Sequence, residues 1–229
     1  KYSYVEVDDI GFDTAVAKKL ENKNTTGFNV TIPYKKRIFK HLKTKNVHAT
    51  QIGAVNCVLV GANTKGINTD WIGYMGSIKN TKIKKSGKIL ILGFGGAAQA
   101  IFYGFSKKKY KNIIVFNRSR KAIKTSGAIR FTKKYSLIDK HLKEADLIIN
   151  TTPTNPLNRK QTKLIKTSTI ISDIVYKPKE TAFLKNFKEN KKIYGISMLI
   201  EQAIPCFHYW FGFSPDVDSE LLNKINSKI

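Results

Sequence analysis

Cysteine occurs only twice in the 229 residues, at Cys57 and Cys206, and histidine four times. Two thiols exclude a disulfide framework and a thiolate zinc cluster. His41, His48, His141 and His208 lack metal-ligand spacing, so no metal is expected. Neither cysteine has a histidine or a basic cluster beside it, and both read as packing residues. Glycine and proline, at 15 and 6, are too few for a disordered or collagen-like chain. Acidic residues are also scarce, 16 against 41 basic, for a net charge of +25. Within the basic set arginine is rare, 5 against 36 lysines. Base readers and phosphate clamps lean on the planar arginine fork, so no nucleic-acid partner is expected. The scattered lysines read as a solvated surface whose field attracts anions, a phosphorylated cofactor included. The excess is uneven: net +6 over 1–69, +21 over 70–195 and −2 over 196–229.

Long apolar runs are missing as well. Ile89–Ser106 is uncharged for eighteen residues, close to the roughly 20 of a membrane span. Gly93, Gly95 and Gly96 interrupt it. Ile193–Phe213 carries Glu201, Gln202, Pro205 and His208. No membrane span and no apolar signal region are read, and a cytoplasmic location is expected. The chain begins with Lys1 rather than Met, which reads as a processed or truncated form.

With a hydrophobic fraction of 41%, the chain can build a core. Tyr2–Val7 and Gly27–Ile32 read as strands, Phe12–Leu20 and Tyr34–Leu42 as helices, and Ala54–Val60 as a strand before a turn at Gly61–Lys65. A helix begins after Asn68-Thr69-Asp70. Lys88–Leu92, Asn112–Phe116, Asp146–Asn150 and Thr169–Asp173 read as buried strands, with a helix at Gly96–Phe105. Met198–Phe211 and Asp218–Ile225 read as helices. Strands alternating with helices indicate parallel βαβ units. The expected fold is α/β in two domains. An α/β substrate domain takes 1–69 plus 196–229, and a Rossmann-like, doubly wound parallel-sheet cofactor domain takes 70–195.

The strand Lys88–Leu92 runs into Gly93-Phe-Gly95-Gly96-Ala97-Ala98 and then a helix. That is the context the dinucleotide fingerprint requires. Gly93 permits the tight turn, Gly95 lets the backbone approach a diphosphate, and Ala98 lets helix and strand lie close. Amides around Gly96 and Ala97 would face phosphate oxygens. After the next strand, an NAD site presents an acid to the ribose. Here Asn117-Arg118-Ser119-Arg120-Lys121 stands instead. These cations would pair with a 2′-phosphate, so NADP is the expected cofactor.

Three other segments hold compact polar clusters: Asn29-Val-Thr31-Ile-Pro33-Tyr-Lys35, Gly53-Ala-Val-Asn56 and Asn68-Thr69-Asp70. Lys35 falls where a helix is expected to start, and a cation there opposes the macrodipole. Together with Ile149-Asn-Thr151-Thr-Pro153, Asp173-Ile174-Val-Tyr176 and Gly195-Ile-Ser-Met198-Leu-Ile-Glu-Gln202, these motifs stand in the order of the shikimate dehydrogenase family, which the chain resembles over most of its length. The resemblance implies reversible reduction of 3-dehydroshikimate to shikimate by NADPH, in the route to chorismate and the aromatic amino acids. It makes Lys35 and Asp70 the catalytic pair. Thr31, Asn56 and Gln202 would bind ring hydroxyls, and Tyr176 would help hold the carboxylate. Ile174 and Gly195 would border the nicotinamide with Met198 nearby. Gly93, Gly95, Gly96, Ala97, Asn117, Arg118, Ser119, Arg120, Lys121 and Thr151 would complete the cofactor site.

Departures from the family pattern are expected to matter. The family's N-terminal Ser-x-Ser segment, which contacts the substrate carboxylate, has no counterpart in Lys1–Asp9. Thr154-Asn155 stands where a glycine often follows the proline, and either Arg120 or Lys121 takes the second cation's role. The rivals are a quinate/shikimate dehydrogenase using NAD or NADP, a basic nucleic-acid-binding protein, and an inactive nucleotide-binding fragment. A monomer or homodimer acting on a small molecule is expected.

Overall fold

Short apolar runs cut by glycine, proline and polar turns produce many short elements. The computed structural model describes residues 2–124 and 129–228. The first half contains α1 (Phe12–Glu21), β1 (Gly27–Asn29), β2 (Thr44–Lys45), α2 (Val47–Ile52), β3 (Cys57–Leu59), β4 (Lys65–Ile67) and α3 (Asp70–Ser77). Then follow β5 (Lys88–Leu92), α4 (Gly96–Lys107), β6 (Asn112–Phe116), β7 (Ala122–Lys124), β8 (Ile129–Phe131), α5 (Asp139–Leu142) and β9 (Leu147–Asn150). The chain continues with α6 (Arg159–Thr162), β10 (Ile170–Asp173), β11 (Lys192–Ile193), α7 (Gly195–Phe211) and α8 (Ser219–Asn226).

The larger sheet has the order β11-β10-β9-β5-β6 and is parallel throughout. Ile89 and Ile91 face one side of it, with Phe105, Val115 and Ile149. Leu90 and Leu92 face the other, with Ile148, Ile171 and Phe183. Burial on both faces is what a continuous apolar strand requires, and helices supply the cover. The chain leaves β5 for β6 on one side and reaches β9 on the other. The crevice at the carboxyl ends of β5 and β9 is therefore the topological switch point, where such sheets bind ligands. The uncharged run Ile89–Ser106 divides into β5, the glycine turn and α4. No helix among the described residues is long and apolar enough to cross a membrane.

The smaller sheet has the order β1-β3-β4-β2, antiparallel except for the parallel pair β2–β4. Its core holds Phe12, Val16, Ile38, Leu42, Val55 and Val58. Asn46 caps α2 by accepting from Ala49 N at 2.7 Å, and Gly53 ends it in the left-handed region at φ 73°. α3 packs against both α4 and α7. Glycines make these approaches close. A Cβ on Gly73 would stand 2.5 Å from Gln202 Cβ, and one on Gly104 would stand 3.0 Å from Met75 Cγ.

Several elements differ from the expectation. Residues 2–7 pair with no strand; side chains tie them down, Tyr2 Oη donating to Asn29 Oδ1 at 2.8 Å and Tyr34 Oη to Val7 O at 3.2 Å. The helix expected over Tyr34–Leu42 is instead a turn followed by a 3-10 helix, Arg37–His41. The cause is Lys35 O, which accepts from Val55 N at 2.8 Å, while Phe39 N donates to Lys36 O rather than to Lys35 O. The strands expected over Gly27–Ile32 and Ala54–Val60 shorten to three residues each. α2, β2, β4 and the hairpin β7–β8 had no separate sequence signal.

Candidate active site

Asp70 is the first residue of α3, and its carboxylate is buried, with the side chain 4% exposed. Lys35 Nζ donates to Asp70 Oδ2 at 2.7 Å from a side chain 15% exposed. The backbone of Lys35 is fixed by the bond from Val55 N to its carbonyl, and its stem lies over the start of α4. A Cβ on Gly96 would stand 3.6 Å from Lys35 Cβ. With no helix beginning at Lys35, the dipole that this cation opposes is that of α4, not its own. The ammonium and the carboxylate, 35 positions apart in sequence, thus meet beside the glycine turn.

A polar network adjoins the pair. Asn56 is buried; its Nδ2 donates to Thr69 Oγ1 at 2.8 Å and to Gln202 Oε1 at 3.1 Å, while its Oδ1 accepts from Thr69 N at 2.7 Å. Gln202 Nε2 donates to Leu199 O at 2.9 Å. Asn56 and Gln202, 146 positions apart, are therefore already oriented against each other. Asn29 Nδ2 donates to Asn56 O at 3.0 Å and to Cys206 Sγ at 3.4 Å. Thr31 and Tyr176 are exposed. Asn29, Thr69 and Cys206 were not singled out by sequence reasoning as site residues. Asn29 and Thr69 lie inside the quoted motifs, but Cys206 had no signal. Donors from Cys57, Thr69 and Asn29 lower the Cys206 thiol's pKa against its burial, and the Cys57 thiol is pushed up.

At the glycine turn, Gly93 takes φ 102°, and a Cβ there would stand 2.6 Å from Thr151 Oγ1. Thr151 Oγ1 donates to Leu92 O at 2.7 Å, which links the ends of β5 and β9. A Cβ on Gly95 would meet nothing within 4 Å, so a diphosphate can approach the backbone there. Gly96 and Ala97 open α4 with their amides free of intrahelical partners. Beyond β6, Arg118, Ser119, Arg120 and Lys121 are exposed, and Asn117 Nδ2 donates to Ser119 O at 3.1 Å. The Arg120 guanidinium stacks 4.2 Å over the Phe131 ring. Across the switch point, Gly195 begins α7 against Ile174, with only 2.5 Å between a Cβ there and Ile174 O. Met198 is buried in the core shared with Tyr74 and Ile193. Asp173, also buried, has its pKa raised by desolvation, opposed by bonds from Thr181, Val175 N and Asn150. The chain thus presents a helix N-terminus with free amides at a glycine turn, cations beside it, and an ammonium–carboxylate pair at the cleft. A phosphorylated dinucleotide fits these groups.

This fold and site define a dinucleotide-dependent oxidoreductase of the Rossmann type. The comparisons with known proteins agree. The family model described as the shikimate dehydrogenase substrate binding domain matches residues 1–58, and that of shikimate / quinate 5-dehydrogenase matches 77–181. A shikimate dehydrogenase (NADP(+)) from Nitrosopumilus maritimus is 35% identical over 221 residues, 90% of this chain and 79% of that protein. The Thermus thermophilus shikimate 5-dehydrogenase structure in complex with NADP(H) and shikimate aligns with TM-score 0.77 and 26% identity, over 94% of this chain and 84% of that one. The quinate dehydrogenase from Corynebacterium glutamicum, in complex with NAD, aligns with TM-score 0.79 and 26% identity, covering 93% and 82%. The chain belongs to the shikimate dehydrogenase family.

Proposed function

We propose that the chain reversibly reduces 3-dehydroshikimate to shikimate with NADPH, on the route to chorismate and the aromatic amino acids. The observation that carries this reading is the 2.7 Å bond between Lys35 Nζ and Asp70 Oδ2 beside the glycine turn. Bound NADPH supplies a hydride to the carbonyl carbon. Negative charge then develops on the carbonyl oxygen, and the Lys35 ammonium stabilises it and transfers a proton to it. Asp70 holds the Lys35 ammonium in place and accepts from the substrate hydroxyl. In the oxidative direction the neutral Lys35 amine, formed once the ammonium has released its proton to solvent, takes the hydroxyl proton and becomes the ammonium again. Asn56 and Gln202 hold ring hydroxyls with groups their mutual bond has already oriented, joined by Thr31. Tyr176 contributes to holding the carboxylate.

Gly93, Gly95, Gly96 and Ala97 receive the diphosphate. Asn117, Arg118, Ser119 and one of Arg120 and Lys121 receive the adenosine ribose and its 2′-phosphate. Since Arg120 is stacked on Phe131, Lys121 is the freer of the two. Thr151, Ile174, Gly195 and Met198 shape the nicotinamide end. Residues 1–69 with 196–229 act as the substrate domain and 70–195 as the cofactor domain. The protein works in the cytoplasm on a small molecule, as a monomer or homodimer, without nucleic acid or membrane.

The similarity to a quinate dehydrogenase favours a second reading, a dual shikimate/quinate enzyme. Initial rates with shikimate and with quinate, each with NADP and NAD, test both. Shikimate with NADP should dominate; equal rates on quinate with NAD select the second reading, and no turnover on either substrate overturns both.

A further inference from the structure

Lys35, Lys36 and Arg37 are three consecutive cations with different surroundings. Lys35 pairs with Asp70, and Arg37 pairs with Asp13 and Asp9. No carboxylate pairs with Lys36 among the described residues. Its side chain instead crosses to the other lobe. With the Gln99 amide turned so that its oxygen faces Lys36, Oε1 accepts from Lys36 Nζ at 2.7 Å and Nε2 donates to Ile52 O at 3.1 Å. Gln99 lies in the first turn of α4, its N–H bonded to Gly95 O at 3.1 Å. Gly96 and Gln99 are three apart and share a helix face. The Lys35-Lys36 dipeptide therefore straddles the start of α4, one side chain over Gly96 and the other on Gln99.

Lys35 has Asp70 there as its counter-ion, whereas Lys36 has none among the described residues. The amino end of α4 is itself positive. The Lys36 ammonium also has its pKa lowered, first by partial burial and then by the charge of Lys121. A lysine without a carboxylate partner, held at a helix N-terminus and within reach of a second lysine's charge, is an arrangement that an anion between them relieves.

Resting on the dinucleotide reading above, we propose that Lys36 is a specificity-determining residue for the cofactor: from the substrate lobe it contacts a phosphate of NADP(H), acting with Lys121 across the cleft. Lys36 feels the charge of Lys121, in the turn after β6, so the 2′-phosphate is the phosphate for which the contact is tested first. The cofactor would then be gripped by both lobes, and its affinity would depend on how they sit together.

The test uses the full chain and the variants Lys36→Ala and Lys36→Arg. Calorimetric titration with adenosine 2′,5′-bisphosphate and with ADP reads phosphate binding without catalysis. A charge-assisted bond at an exposed site corresponds to about tenfold in affinity. Lys36→Ala should weaken the 2′,5′-bisphosphate about tenfold and raise KM for NADPH similarly, with a smaller effect on kcat. Lys36→Arg should recover most of both. A loss confined to the 2′,5′-bisphosphate assigns the contact to the 2′-phosphate and supports the proposal; an equal loss with ADP assigns it to the diphosphate, which both cofactors share, and overturns the role in specificity. Unchanged affinity for both probes, with melting temperature unaltered, overturns the proposal. Wild type that binds both probes yet fails to oxidise shikimate sinks the functional reading alone.

Discussion

Replacing Lys35 with methionine keeps the stem over Gly96 and removes only the ammonium. Asp70, 4% exposed, then faces the cleft without its partner. Breaking a buried pair from one side costs about 3–5 kcal/mol. The amides at the start of α3 offset about 0.3–1 kcal/mol of that, and the partial exposure of Lys35 trims it further, leaving about 2–4 kcal/mol. For a chain of this size that lowers Tm by about 10 °C. Chemistry should suffer far more, since loss of a positioned proton donor removes about 10²–10⁴ from kcat. Asp70→Asn should destabilise less, because the 15%-exposed ammonium can turn toward water. Lys35→Met/Asp70→Asn should destabilise less than the sum of the singles, because it leaves no orphan charge. Scanning calorimetry gives the stabilities, and steady-state kinetics at saturating shikimate and NADP gives kcat. NADPH fluorescence gives an affinity that should stay close to wild type in Lys35→Met. A kcat loss below about tenfold, or additive destabilisation in the double variant, would refute the reasoning.

Two further outcomes follow from packing and protonation. Gly73→Ala would set a methyl 2.5 Å from Gln202 Cβ and 2.8 Å from Met198 O. Forcing α3 from α7 should cost about 1–3 kcal/mol and raise KM for shikimate by displacing Gln202; an unchanged urea midpoint contradicts that packing. His48 and His141 both have pKa values held below the usual 6.5, by burial first and then by Lys107 and Lys133 respectively. Below about pH 6.5 the unfolded chain gains protons that the fold resists, so the stability present above that pH is lost on acidification. Tm should be lower at about pH 5.5 than at about 7.5, and His141→Phe should narrow the gap. Asp173, with its pKa raised by burial, acts in the opposite sense as pH falls. The contrast with His141→Phe therefore carries the test, and an unchanged gap refutes it.

The cofactor half was readable because its strands are long enough to carry a pattern. Lys88–Leu92 and Asn112–Phe116 match β5 and β6 residue for residue, and β9 and β10 each lack only the first residue expected. These runs are buried on both faces, so apolar continuity and length coincide. The smaller sheet has no such redundancy. Thr44–Lys45 and Lys65–Ile67 are too short to show a period, and Gly66 sits in β4 because Leu42 and Val55 leave no room for a side chain. Tertiary contacts decide these elements. The site divides the same way. The glycine turn announces itself locally, whereas the meeting of Asn56 with Gln202 required motif order rather than spacing. Lys35 is the instructive case. A cation at a helix start would be costly, which singled the residue out, yet no helix begins there. Because Lys35 O accepts from Val55 N, residue 35 is withheld from the 3-10 helix that follows. The backbone bond that breaks the expected helix also holds the lysine beside the start of α4, where its ammonium reaches Asp70.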